Sequence, residues 1–224
     1  MNDEATSTTP ARRWWLVVLV LLGIGALAFA IGRFSTFGAQ SQGSAPGSSS
    51  AEAGFSRDMQ VHHAQAIEMA MEIYRKTEDA ELQVLSYDIA TGQAGQRGEM
   101  FDWLVQWGLP QSGEPMMAWM SESEAGHGHS GATPEPLPDE EAREAMGMAS
   151  AAEIAALERA TGQEADCLFL DLMIRHHEGA IPMAAALLEL GSDPRALQVA
   201  QSIKDGQAAE IDAMESISAR LGCG

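Results

Sequence analysis

The chain has 224 residues, with 13 Lys and Arg against 32 Asp and Glu, 46% apolar residues and two cysteines. A formal charge of −19 repels a phosphate backbone, so nucleic acid is excluded as a partner, as is an anionic membrane surface for the acidic part. Two cysteines without CxxC spacing make no thiolate cluster, so any metal must rely on other ligands.

Residues 1–13 read as a cytoplasmic tail. From Trp14 to Gly32 there are 19 uncharged residues bracketed by Arg12–Arg13 and Arg33, and as a helix they span about 28 Å, close to a bilayer core. The apolar run is longer than a signal-peptide core, so residues 14–34 are expected to be a single membrane-spanning anchor. The arginine pair places the N-terminus in the cytoplasm and the rest of the chain outside. Ala28-Phe29-Ala30 leaves a cleaved signal, and hence a secreted protein, as the alternative. Residues 35–54 are rich in Gly, Ser and Ala and read as a flexible linker.

The folded part is expected over 55–221, and an internal repeat organises it. FSRDMQVHHAQAIEMA at 55–70 matches FLDLMIRHHEGAIPMA at 169–184 at a constant offset of 114 residues. The same offset carries Ile89, Gly92, Gln93, Ala94 and Met100 onto Ile203, Gly206, Gln207, Ala208 and Met214. Each unit reads as a helical hairpin, 55–76 with 79–107 and 165–190 with 194–221. Along the first helix Met59, His62, His63, Ala66, Met69, Ala70 and Ile73 share one arc facing the core, whereas Arg57, Glu68 and Glu72 lie opposite and are expected in solvent. Two such hairpins predict an all-α fold, an antiparallel four-helix bundle preceded by one transmembrane helix.

Gly92, Gly95 and Gly98 do not follow a strand and are expected at a close helix contact rather than at a nucleotide. Pro182 falls within the third long helix on its solvent face, where a kink is accommodated. Residues 108–149 read as a long Gly-, Pro- and acid-rich loop carrying Met116, Met117, Met120, His127 and His129. Within hairpin 2, taken as 150–221, Ser150 and Glu153 have capping-box spacing ahead of a short helix. Gly191-Ser192-Asp193-Pro194 supplies a stop, a cap and a first-turn proline. Cys167 and Cys223 fall at one end of the second hairpin, and sequence alone leaves open whether they are bonded.

The paired motif carries the chemistry. Neutral imidazole suits copper, zinc and iron, and thioether sulfur adds a preference for soft ions, copper(I) foremost. His62, His63, His176 and His177, with Met59, Met69, Met173 and Met183 on the same stripes, are the candidate ligands, expected to gather near the bundle centre. A methionine on an apolar helical face is commonly packing, so ligation and packing both stand for the four methionines. His127 and His129 are either solvated or a secondary copper site. Neither motif helix has an acidic residue three positions before a histidine, and no HExxH or Ser/His/Asp set occurs, so binding rather than catalysis is expected.

The strings FSRDMQVHHAQAIEMA and MGMASAAEIAALERATGQEADCLFLDLMIRHHEGAIPMA resemble domain of unknown function 305, a ferritin-like four-helix family of exported bacterial proteins, some associated with copper. The resemblance covers about 55–221. It implies that His62, His63, His176 and His177 are the signature histidines, with Met59, Met69, Met173 and Met183 beside them and Met146-Gly147-Met148 matching a methionine-containing segment before the second unit. The functional expectation is a membrane-tethered, extracytoplasmic protein that sequesters copper or hands it to a transfer partner, alone or as a homo-oligomer. A ferritin-like redox enzyme and a metal-free interaction bundle are the alternatives.

Overall fold

The computed structural model describes residues 45–121 and 137–223. Among them are six α-helices and no strand: α1 (Ala51–Tyr74), α2 (Ala80–Gln106), α3 (Asp139–Ala145), α4 (Ala151–Arg159), α5 (Gly162–Leu190) and α6 (Pro194–Leu221). The expected membrane segment, residues 14–34, and the loop histidines His127 and His129 lie outside the described residues. No helix among the described residues is long and apolar enough to cross a membrane.

Local chemistry sets the helix starts. Asp79 accepts from Leu82 N at the start of α2, and Asp193 accepts from Arg195 N and Ala196 N at the start of α6, with Pro194 in the first turn. These two caps are separated by the same 114 residues as the histidines, so the repeat extends to the helix boundaries; each cap is worth about 1 kcal/mol. Ser150 and Glu153 form the expected capping box on α4. α1 starts at Ala51, within the expected linker, because Ser50 caps it by accepting from Ala53 N. Its first turn is also held from outside, as the Glu52 carboxylate accepts from Ser192 N at 2.6 Å and Asp193 N at 3.1 Å.

Two antiparallel hairpins result. In the first, Gln83 donates to the Tyr74 carbonyl beside the α1–α2 turn, and Gln60 pairs with Gln111 near the other end. The second hairpin is closed at its open end by the Cys167–Cys223 disulfide, with a Cα separation of 5.3 Å. The hairpins meet mainly through α1 and α5, and α4 packs on both.

Three expectations are corrected by the tertiary packing. Arg57 is buried rather than solvated, because the chain before α1 and after α2 folds over it: its guanidinium donates to the Ser48 carbonyl at 2.7 Å and the Pro110 carbonyl at 3.1 Å. Gly92, Gly95 and Gly98 make no close helix contact, since a Cβ at any of them would meet nothing within 4 Å among the described residues. Close backbone approach is instead made at Gly147 and Gly179, where the 146–147 backbone lies against α5; a Cβ on Gly179 would fall on the Met146 carbonyl and 2.8 Å from Gly147 N. The expected loop 108–149 contains a 3-10 turn (Ala118–Met120) and α3. Pro182 is exposed, as expected, and α5 continues through it.

Candidate metal centre

All four motif histidines are fully buried, at 0% exposure. They lie where the core changes character. One apolar cluster contains Met69, Ile89, Phe169, Met173 and Met214; the other contains Phe55, Met59, Met100, Met183 and Ile203. Each long helix passes from one cluster to the other, and on each a polar side chain occupies the crossing: His62 and His63 on α1, Gln93 on α2, His176 and His177 on α5, Gln207 on α6. The core is therefore divided by a buried polar layer, and the 114-residue repeat supplies each half of it.

Within the layer the His62 and His176 rings lie face to face, centroids 3.6 Å apart and planes tilted by 33°. His63 and His177 flank them, each 6.3 Å from its sequence neighbour's ring. Fully buried Ala66 and Ala180 leave room on α1 and α5 for the imidazoles to meet.

Each ring except that of His176 is held at Nε2. His62 Nε2 donates to the Met146 carbonyl at 3.0 Å, His63 Nε2 to Gln96 Oε1 at 2.8 Å, and His177 Nε2 to Glu210 Oε2 at 2.7 Å. A carbonyl or carboxylate oxygen only accepts, so Nε2 carries the proton and Nδ1 keeps its lone pair. The Met146 carbonyl is itself fixed: Gln65 clamps Ala149 through both of its amide atoms, at 2.8 and 2.7 Å, and Gly179 lets the segment lie against α5.

The remaining polar atoms of the layer have no partner among the described residues. Nδ1 of all four histidines, Nε2 of His176 and both amide atoms of Gln93 and Gln207 are buried without a hydrogen bond, nine of the twelve such atoms found. Leaving one buried polar group unsatisfied costs about 1–3 kcal/mol.

Burial keeps His62, His63 and His176 neutral. Burial, reinforced by the neighbouring His63, pushes His62 down to about 3. Burial takes His63 down to about 4 against the opposing pull of the Gln96 acceptor. His176 is lowered well below its ordinary value by burial and then by His62. At neutral pH these imidazoles need lose no proton to bind a metal.

The methionines do not join the histidines in one shell. Met59 and Met183 lie in one cluster and Met69 and Met173 in the other, so the four thioethers are divided two and two by the layer. The Met59 side is the richer, with Met100, Met120, Met146 and Met148 buried beside it and Met116 and Met117 packed against it. Asp58 organises that side by accepting from Met117 N at 2.8 Å and Trp119 Nε1 at 2.9 Å. Met117 has a positive φ of 61°. Among the described residues no three His, Cys, Asp or Glu side chains converge on one ion-sized position.

Gln96 and Glu210 are functional candidates that sequence reasoning missed. Both lie 33 residues after a motif histidine, so the repeat offset pairs them, but the pairing is Gln with Glu and escapes a search for identical residues.

Fold and site together define an all-α protein made from a duplicated helical hairpin around a buried histidine layer. The chain belongs to the family described as domain of unknown function (DUF305), whose model matches residues 52–218. Among solved structures, a DUF305 protein from Streptomyces coelicolor, inferred to be secreted, is 36% identical, with 79% of this chain and 96% of that chain covered and a TM-score of 0.67. A DUF305 fragment from Deinococcus radiodurans is 31% identical, covering 76% of this chain and 96% of that one, with a TM-score of 0.61. CopM in its Cu(I)-bound form is 26% identical over 76% of this chain and 96% of that one, with a TM-score of 0.54; it is also known in a silver-bound form, at 25% identity over 76% and 96% of the two chains and a TM-score of 0.53. No curated protein sequence matches the chain.

Proposed function

We propose that this protein binds copper, with copper(I) the preferred ion, and sequesters it or hands it on outside the cytoplasm. The observation that carries the reading is the buried layer of four imidazoles with unpartnered Nδ1 atoms. Imidazole lone pairs flanked on both sides by thioethers are the donor set that soft, monovalent copper prefers over zinc or a hard cation. We read His62, His63, His176 and His177 as the nitrogen donors, at most two to any one ion, with Met59 and Met183 on one side of the layer and Met69 and Met173 on the other. The likeness to CopM, known in Cu(I)-, Cu(II)- and silver-bound forms, supports copper without favouring one oxidation state.

The two hairpins are read as a ferritin-like antiparallel four-helix bundle, tethered through residues 14–34 with the bundle outside the cell membrane. The disulfide supports an oxidising compartment, and the similarity to the Streptomyces coelicolor protein supports export.

Metal analysis of the full chain purified without chelators, followed by Cu(I) and Cu(II) competition titrations, tests the reading. His62→Ala with His176→Ala should remove most high-affinity binding. Unchanged copper stoichiometry and affinity in a folded variant lacking all four motif histidines would overturn it.

A further inference from the structure

The two halves of the polar layer share the histidine pair and the buried glutamine of the repeat, and the outer imidazoles differ in the group that holds them. His63 Nε2 meets the neutral Gln96 amide at 2.8 Å, whereas His177 Nε2 meets the Glu210 carboxylate at 2.7 Å. Positions 96 and 210 are related by the 114-residue offset, so a second carboxylate could stand at 96 without changing the geometry, and none does. Both side chains are half-buried, and Glu210 is 29% exposed, so its charge is felt inside the layer with only part of the screening of open water.

We propose that Gln96 and Glu210 are positioning residues that set which oxidation state of copper the layer prefers. By holding Nε2 they turn the unpartnered Nδ1 lone pairs of His63 and His177 into the free donor atoms. By supplying one carboxylate rather than two to a layer of imidazoles and amides, they match a monovalent cation. A divalent ion at the same place keeps a net positive charge in a buried site, which desolvation penalises. The inference rests on the copper reading of the same site and goes beyond it by assigning the preference for charge to a residue pair that makes no contact with the ion.

The test uses the full chain as wild type, Glu210→Gln, Gln96→Glu and the double exchange Gln96→Glu with Glu210→Gln. Cu(I) affinity is measured anaerobically under reductant by chelator competition, and Cu(II) affinity separately. Gln96→Glu should raise Cu(II) affinity over Cu(I) on the order of tenfold, and Glu210→Gln should shift the ratio the other way by a similar factor. The double exchange should bring the ratio back to within about twofold of wild type, because the repeat makes the two positions equivalent. A purely structural role moves both affinities together and gives no recovery, and that result, or an unchanged ratio in both single variants, overturns the proposal. Since Glu210→Gln alone tests the sign, failure of one variant to fold does not remove the test. Copper binding that survives loss of the four histidines instead overturns the copper reading, and this inference with it.

Discussion

The neutral histidine layer predicts a loss of stability in mild acid. In the unfolded chain each imidazole takes a proton below about pH 6.5, whereas in the folded protein His62 and His63 are held down to about 3 and about 4. Between those limits the unfolded state binds more protons, so stability is complete above about pH 6.5 and falls as the pH falls toward 4. From pH 7 to pH 5 each ring contributes a loss of about 2 kcal/mol, about 4 kcal/mol for the two. His176 acts in the same direction, being lowered for the same reason. Carboxylates add little in that window, since most stay ionised above pH 5. Against a typical domain stability of about 5–15 kcal/mol the effect is large. Urea unfolding of the metal-free protein, followed by far-UV circular dichroism at pH 7 and pH 5, should show it, and His62→Leu with His63→Leu should flatten the difference. A metal-free wild type equally stable at both pH values would refute the buried, neutral placement of these rings.

Gly179→Ala should destabilise the fold by about 1–3 kcal/mol, as an added Cβ has only backbone to displace, and because the displaced Met146 carbonyl holds His62, copper affinity should fall with it; thermal melting and titration check the pair. Met59→Leu with Met183→Leu removes both motif thioethers on one side of the layer at nearly constant volume, so Cu(I) should weaken more than Cu(II) while circular dichroism stays unchanged. Cys167→Ser with Cys223→Ser releases a link spanning 56 residues and should cost about 4 kcal/mol on the loop-entropy estimate; free-thiol counting on the non-reduced, denatured wild type should find none.

Much of this architecture is legible before any coordinates, because helical periodicity and duplication are local or one-dimensional signals. The 114-residue offset places both hairpins, and α5 ends and α6 begins where the stop, cap and proline at 191–194 predict. The arc containing His62, His63, Ala66 and Met69 is buried as drawn, because residues at i, i+3 and i+7 share a face whatever that face later meets. The departures come where the answer depends on which surface a second element covers. Arg57 occupies the polar arc of α1 and is buried all the same, since the segment at Ser48 and the loop at Pro110 fold across it.

The sequence by itself determined the four long helices, the caps at Ser150 and Asp193, the repeat and the burial of the motif histidines and methionines, since each follows from spacing along one chain. Only the tertiary structure decided that the methionines stand two and two on opposite sides of the histidines, because a shared stripe on one helix does not say which partner lies at each height. It also decided that Gly179 rather than Gly95 is the crowded glycine, and that Gln96 and Glu210 hold the outer rings. Packing between segments 33 to 141 residues apart sets these relations, and antiparallel docking of α1 on α5 brings one end of each motif to the opposite end of its copy.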